Sequence, residues 1–498
     1  MIRLPTLTPL EHLAFVAAGL LTYVVVTRIR RQRRAPYAAL AWVMSIAAFP
    51  YLGVPLFLVF GTRKVVRPRT EAQPAPQGAW AVLAPPWATR LLAALGVAEA
   101  HPQQAVAFQA DGDDALRALQ ALMRSAEHTL DVSTYVLGDD EVGAAVASTL
   151  CERARAGVRV RLLVDAIGSL KSARSHDAQL QAAGVQTRLF MPLRHNPRRS
   201  RTNLRNHRKL VVADGLRVWG GGRNLANEYF IGSAGHPPWL DLSFTATGTL
   251  AVQAHALFEG DWRLARGLNR APRLGYAERV HLYEQQAIEA QADASGASAD
   301  ARPHPWISAE PRPGDPALRG VPLAQWVPSG PDFHDDVLHA LLVSAAFHAT
   351  ERLLLSTPYF VPDDGLLEAL MLAARRGVRV VLAVPAQSNH RLPDIARGRA
   401  LREMVEAGAD VRLVPAMLHA KAVVVDHQLA LCGSANLDSR SLFVNFEAMA
   451  AFYGAYEIDW LADWIDGVAQ TGTPASAAPP SWLRDIGEGV IATFAFQL

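Results

Sequence analysis

Two apolar stretches, Leu10 to Thr27 and Ala38 to Phe60, open the chain. A helix crossing the hydrocarbon core of a bilayer needs about 20 apolar residues. The pattern therefore predicts two N-terminal transmembrane helices, the first with its opening turn in the interface. Arg28, Arg30, Arg31, Arg33 and Arg34 lie between them. This basic cluster follows the first stretch instead of preceding it, and no small-residue cleavage site ends it, so an anchor is favoured over a cleaved signal. A spanning pair returns the remaining chain to the side of the N-terminus. The side itself stays open, because Arg3, Arg63, Lys64, Arg67 and Arg69 balance the five loop arginines.

After the apolar opening, short apolar runs alternate with Ala/Leu/Arg-rich stretches of helical character. Gly157-Val-Arg-Val-Arg-Leu-Leu-Val is matched by Gly377-Val-Arg-Val-Val-Leu-Ala-Val, and Ser-Thr-Tyr135 by Ser-Thr-Pro-Tyr359. Each half reads strand, helix, strand, connection, strand. That order predicts an α/β fold made twice, with helices on a mixed sheet and the halves facing one another across a pseudo-two-fold. The expected organisation is a membrane anchor over 1–70, a Pro/Ala-rich linker with a short helix over 71–103, a first half over 104–284, a low-complexity linker over 285–320 and a second half over 321–498. Trp482, Leu483, Ile486, Val490, Ile491 and Phe494 recur at helical spacing. They predict a C-terminal helix packed on the second half, with a membrane-surface contact as the alternative.

The repeat also carries candidate chemistry. His207, Lys209, Asp214, Gly221, Gly222 and Asn224 recur as His419, Lys421, Asp426, Gly433, Ser434 and Asn436. In a strand the period of two puts the imidazole and the ammonium on one face, so two such pairs suit a single phosphate-sized site. Of 49 Lys+Arg only Lys64, Lys171, Lys209 and Lys421 are lysine, and half of these stand in the motif. A compact ammonium is therefore wanted where arginine has taken nearly every other basic position. One histidine can attack phosphorus while the other acts as general acid, and Lys209, Lys421, Asn224 and Asn436 can neutralise the non-bridging oxygens. Asp214 and Asp426 precede tight turns and read as structural, with a direct catalytic role as the alternative.

Composition changes the picture little. A chain of 498 residues, 50% hydrophobic, can fill two large cores, and a formal charge of +3 confines any basic footprint to local patches. One such patch, Arg194, Arg198, Arg199, Arg201, Arg205, Arg208 and Lys209, leads into the first motif as a solvated loop or a collar for anionic headgroups or nucleic acid. Cys151 and Cys432 offer neither a disulfide framework nor a zinc site. No metal or other cofactor is expected, because two lysines supply the positive charge.

These residues resemble the phospholipase D superfamily over roughly 104–470, and within it bacterial cardiolipin synthases. The likeness rests on Asn203-Leu-Arg-Asn-His207-Arg-Lys209, Gly221-Gly-Arg-Asn224, Pro238-Trp-Leu-Asp241, Pro328-Ser-Gly-Pro331, Pro358-Tyr-Phe-Val-Pro-Asp363, Leu418-His-Ala-Lys421 and Gly433-Ser-Ala-Asn436-Leu-Asp-Ser-Arg-Ser441 with Asn445 and Glu447. Asn389, where an aspartate is expected, and Val414-Pro-Ala-Met, which lacks the usual aromatic, depart from the pattern. The resemblance implies His207 as nucleophile, His419 as acid and base, and a downstream carboxylate orienting each histidine, Asp241 for His207 and Glu447 for His419. It further implies phosphatidylglycerol and other anionic phospholipids as partners, no nucleic acid, and a multi-pass protein of the bacterial inner membrane. The activity expected is transfer of a phosphatidyl group between two phosphatidylglycerols. Hydrolysis of phospholipid, a nuclease and a non-catalytic lipid-binding protein are the competing readings.

Overall fold

The computed structural model describes residues 9–29, 36–61, 84–170, 175–192, 203–233, 235–266, 274–295 and 322–494. The end of the expected anchor with the first part of the linker (62–83), most of the low-complexity stretch, the basic run over 193–202 and the arginines Arg30, Arg31, Arg33 and Arg34 lie outside these residues.

Helix α1 (Pro9–Ile29) is long and apolar enough to cross a membrane from Pro9 to Thr27. The second apolar stretch is not one span. It breaks at Phe49 into α2 (Pro36–Ala48) and α3 (Pro50–Phe60), where Pro50, the first residue of α3, cannot donate the backbone bond of a continuous helix. The two pieces fold back on each other, so that Trp42 and Phe57 meet with ring centroids 5.4 Å apart. At 1.5 Å per residue they reach only ~20 and ~17 Å, short of a ~30 Å hydrocarbon core. Among the described residues one helix, not two, has the length of a span.

After α4 (Pro86–Ala94), the first half runs β1 (His101–Gln109), α5 (Gly112–Arg124), β2 (Thr129–Thr134), α6 (Glu141–Arg155), β3 (Arg159–Asp165), α7 (Asp177–Ala182), β4 (Gln186–Phe190), β5 (Leu210–Ala213), β6 (Arg217–Gly221), β7 (Ser243–Gly248) and α8 (Thr249–Ala265). Helix α9 (Tyr276–Ser295) carries the chain past residue 285, where composition predicts a linker. The second half runs β8 (Leu323–Ser329), α10 (Val337–His348), β9 (Arg352–Ser356), β10 (Phe360–Val361), α11 (Asp364–Arg375), β11 (Arg379–Pro385), α12 (Arg391–Ala396), α13 (Gly398–Glu406), β12 (Asp410–Val414), β13 (Ala422–Val425), β14 (Leu429–Gly433), β15 (Leu437–Asp438), α14 (Ser439–Phe443), β16 (Glu447–Phe452), α15 (Ala455–Gln470), β17 (Thr473–Pro474) and α16 (Trp482–Phe494).

One mixed sheet joins the halves. Its strands run β4, β3, β2, β5, β6, β7, β1, then β8, β16, β14, β13, β9, β11, β12 and β17. The order of the first seven is the mirror of the next seven, as a pseudo-two-fold between β1 and β8 requires. His101 pairs with Ala324 and Pro102 with Leu323 at that seam. Phe108, Phe244, Trp326 and Phe452 pack across it, with Phe108 and Phe452 at 5.1 Å and Phe244 and Trp326 at 5.5 Å between centroids. Trp326 is buried, and its Nε1 donates to the Leu250 carbonyl at 2.9 Å, which satisfies the one polar atom of a large ring.

This register decides where the motifs go. Strands β2 and β3 are parallel, while β5 runs antiparallel to β2 with Ser133 opposite Leu210. His207 and Lys209, just before β5, therefore lie at the edge of the sheet where β2 and β3 end. In the second half β13 is antiparallel to β9, with Ser356 opposite Ala422, and puts His419 and Lys421 at the equivalent edge.

Candidate active site

The two edges are stitched to each other. The His207 amide donates to the Phe446 carbonyl at 2.9 Å, and the His419 amide to the Leu240 carbonyl at 2.7 Å. Asn206 with Phe446 and Leu240 with Leu418 form parallel bridges. Phe446 immediately precedes Glu447, and Leu240 precedes Asp241, so each half delivers its carboxylate to the other half's histidine. His207 Nδ1 lies 3.0 Å from Glu447 Oε1, and His419 Nδ1 lies 2.6 Å from Asp241 Oδ2. This exchanges the pairing expected from sequence, in which each carboxylate served the histidine of its own half. Both bonds tie Nδ1, so that Nε2 of His207 is left for chemistry while Nε2 of His419 faces Lys421 Nζ at 3.0 Å.

Close packing fixes these partners. Glu447 is buried and also accepts from Ser434 Oγ at 2.6 Å, so the serine of the second motif braces the carboxylate that holds the first histidine. Asp241 is buried beside Gly222, where a Cβ would stand 2.2 Å from its Oδ1, so only glycine fits. Arg223, also buried, donates to the carbonyls of Tyr229, Gln109 and Ala110 and anchors the turn that carries Asn224.

The lysines fold inward. Lys209 Nζ donates to the His207 carbonyl at 2.8 Å, and Lys421 Nζ lies 3.0 Å from His419 Nε2 and donates to the His419 carbonyl. Asn224 donates through Nδ2 to the Tyr229 hydroxyl at 2.7 Å. Among the described residues, the Oδ1 atoms of Asn224 and Asn436 are buried without a hydrogen-bond partner. An amide can turn its NH₂ toward a bound oxyanion, and an unpaired buried polar atom is costly when no ligand is present. Tyr135 meets the His207 ring edge-on at 5.0 Å, and Tyr229 meets His419 at the same distance. Tyr229 escaped the sequence reading, although it stands five residues after Asn224 and the second motif has no tyrosine there.

Burial sets the protonation of the site. It pushes His207 below its ordinary value and, together with Lys421, takes His419 down to about 3. Burial alone would raise Asp241, yet His419 and Lys421 hold it at about 2, and His207 and Lys209 hold Glu447 down in the same way. Burial also lowers Lys421 to about 8 and Lys209 well below the lysine range. Lys209 senses Lys421, Glu447 and Asp241, so charges from both halves share one desolvated space.

A pH dependence follows from the sign of these shifts. The unfolded His419 takes up a proton near 6.5, but the folded one resists it to about 3. Its contribution to stability is therefore fully present above about pH 6.5 and is lost as pH falls toward 3, and His207 acts in the same direction. Denaturant midpoints should fall between pH 6.5 and 5, with a shallower decline in His419→Gln. An equal slope in that variant would show that other groups carry the effect.

The motif aspartates are elsewhere. Asp214 ends the motif hairpin's first strand at φ 55° and accepts from the amides of Glu127, His128 and Thr129 at 2.8 to 3.2 Å, fixing the start of β2. Asp426, at φ 49°, does the same for Thr350, Glu351 and Arg352 before β9. Both stand at the opposite end of β5 and β13 from the histidines, ~23 Å of extended chain away. Their carboxylates are engaged there by backbone amides, which fits the structural reading of the two residues. Asp214→Ala should cost about 2–4 kcal/mol through lost bonds and left-handed strain. Its kcat should stay within about threefold of wild type in the folded fraction, and a collapse of kcat with unchanged melting temperature would contradict the assignment.

The basic collar is also corrected in part. Arg205 and Arg208 are buried and turned inward, Arg205 to Asp165 at 3.3 Å, Arg208 to Asp261 at 2.7 Å and to Asp332 at 3.1 Å. They brace the seam and present no charge to a ligand.

Comparison with known proteins agrees with this geometry. The model of the "Cardiolipin synthase, PLD-like domain" family matches residues 119–237 and 342–468, one segment in each half, and a phospholipase D-nuclease N-terminal family matches 19–61. Cardiolipin synthase A of Pseudomonas entomophila is 30% identical over 433 residues, covering 83% of this chain and 82% of that protein. The cardiolipin synthase of Geobacillus kaustophilus is 28% identical, covering 85% of this chain and 81% of that protein. The crystal structure of a phosphatidylserine synthase from Haemophilus influenzae covers 82% of this chain and all of its own, with a TM-score of 0.59 at 15% identity, a likeness of fold. With paired motifs in both halves and 30% identity over most of both chains, this protein belongs to the cardiolipin synthase family of the phospholipase D superfamily.

Proposed function

We infer that the protein is a membrane-bound phosphatidyltransferase that moves a phosphatidyl group from one phosphatidylglycerol to another, forming cardiolipin and releasing glycerol. The observation that carries the reading is the crossed pair of histidine and carboxylate, closed by two lysines in one buried space. Membership in the family, and similarity to cardiolipin synthases over more than four-fifths of the chain, support the choice of substrate.

In this mechanism Lys209, Lys421, Asn224 and Asn436 hold the non-bridging oxygens of the phosphodiester. His207 is the nucleophile. Its side chain is 13% exposed against 5% for His419, and Glu447 keeps the proton on Nδ1 so that the Nε2 lone pair faces phosphorus. A bond forms from Nε2 to phosphorus as the bond to the glycerol oxygen breaks, and the proton on His419 Nε2 passes to the leaving alkoxide. The arriving phosphate anion favours that protonation, against the burial that opposes it. In the second step the hydroxyl of another phosphatidylglycerol gives its proton to His419 and displaces His207 from phosphorus. Exclusion of water until the acceptor arrives separates transfer from hydrolysis.

The localisation that goes with this function is the bacterial inner membrane. There α1 is the spanning helix, and the folded-back α2 and α3 form a second membrane-embedded segment. The 1–70 anchor, the two halves and their linkers are proposed as the working division of the chain. The test is to supply full-length protein in vesicles with phosphatidylglycerol labelled in its terminal glycerol. One glycerol released per cardiolipin formed is expected, whereas phosphatidic acid as the main product would replace transfer with hydrolysis.

A further inference from the structure

We infer that the entrance to the catalytic site is a docking surface for a phospholipid bilayer, formed by Leu392 and Ile395 on α12, Trp482 and Ile486 on α16, and Ile167 and Leu170 in the turn after β3. The inference rests on the phospholipid-substrate reading above.

The three elements stand where the site opens. Strand β3 ends at the sheet edge that carries His207, and the turn leaving it presents Ile167 at 38% and Leu170 at 64% exposure. Gly168 in the same turn backs directly onto Tyr135, whose ring touches His207. In the second half the equivalent strand β11 leads into α12, where Leu392 and Ile395 remain 50% and 39% exposed. The Tyr359 hydroxyl ties to Asn389 in the turn that leads to α12, and α16 reaches the site through Ile491, packed on Val361 and Ala396. Val361 pairs with Asp438, two residues beyond Asn436. Both halves therefore put large apolar side chains at matching places beside the catalytic edge.

Helix α16 adds a separate argument. A surface helix of a soluble protein turns its apolar face inward and its charges outward. Here Glu488 points in, 1% exposed, and takes Arg402 at 2.7 Å, while Trp482 and Ile486, one turn apart, point out at 70% and 56% exposure. An ion pair thus holds the helix with apolar residues toward the surroundings. A lipid interface favours that orientation: tryptophan settles at headgroup depth, and the exposed Arg391 beside Leu392 suits anionic headgroups, while Arg484 is taken by Glu488 at 2.9 Å. The substrate imposes the same geometry, since a phosphate must reach buried histidines while its acyl chains stay in lipid.

The test uses full-length protein in phosphatidylcholine vesicles, so that α1 holds every variant on the membrane. Two variants, Trp482→Glu/Ile486→Glu and Leu392→Glu/Ile395→Glu, are assayed on long-chain phosphatidylglycerol in the bilayer and on dihexanoyl phosphatidylglycerol in solution. A fall of roughly tenfold or more on the bilayer substrate, with the soluble substrate within about twofold, is expected of both. Unchanged bilayer turnover, or equal loss on both substrates, overturns the docking surface. So does a halving of the detergent-solubilised mass on substitution, which would make the face an interface between copies of the chain. Wild-type protein that forms no cardiolipin from either substrate overturns instead the functional reading on which the inference rests.

Discussion

Alanine at His207 or at His419 should each lower cardiolipin formation by at least about 10⁴-fold, because neither half holds both a nucleophile and an acid. The crossed carboxylates sharpen this expectation. Glu447 belongs to the second half but holds the ring of the first, 3.0 Å from His207 Nδ1, and Asp241 holds His419 at 2.6 Å. Glu447→Gln should therefore disturb the titration of His207 and leave His419 nearly unchanged, with Asp241→Asn doing the reverse. Both should cost about 10²–10⁴-fold in kcat, as expected when a catalytic imidazole loses its tautomer. Histidine-resolved NMR on the folded variants separates the cases. A change at His419 caused by Glu447→Gln would restore the uncrossed pairing and reject the composite site.

The second large effect is expected from a change that keeps charge. Lys209→Arg and Lys421→Arg should each reduce kcat by roughly 10²-fold, since the guanidinium is wider, longer and planar. Both ammonium groups sit almost wholly buried, folded back on the carbonyl of the histidine two residues earlier. That space has no room for a fork without displacing the imidazole. Near-normal rates in both arginine variants would mean that charge alone matters and that the scarcity of lysine in this chain carries no information.

Much of this site is written locally, and that part was legible. The spacing His-x-Lys suits extended chain, where period two gives a shared face, although the pair lies just before β5 and β13 and not within them, and the motif aspartates read as turn residues. The duplicated order of elements announced a mixed sheet made twice. The carboxylate partners were not legible, because their assignment depends on the bridges of Asn206 with Phe446 and Leu240 with Leu418, contacts between residues far apart in sequence. The inward turn of Arg205 and Arg208 was hidden for a similar reason: their partners Asp165, Asp261 and Asp332 come from three separate stretches. The second apolar stretch is long enough in composition, but Pro50 carries the break, because it cannot donate the backbone bond of a continuous helix.

The central claim is that one site, built by both halves, transfers phosphatidyl in two displacements at phosphorus. Phosphatidylglycerol made chiral at phosphorus by sulfur and an oxygen isotope tests it most directly, with the configuration of the product cardiolipin as the readout. Two successive in-line displacements, first by His207 and then by the acceptor hydroxyl, predict net retention. Inversion would mean a single direct displacement, with no enzyme-bound phosphatidyl group and no nucleophilic role for His207, and would contradict the account.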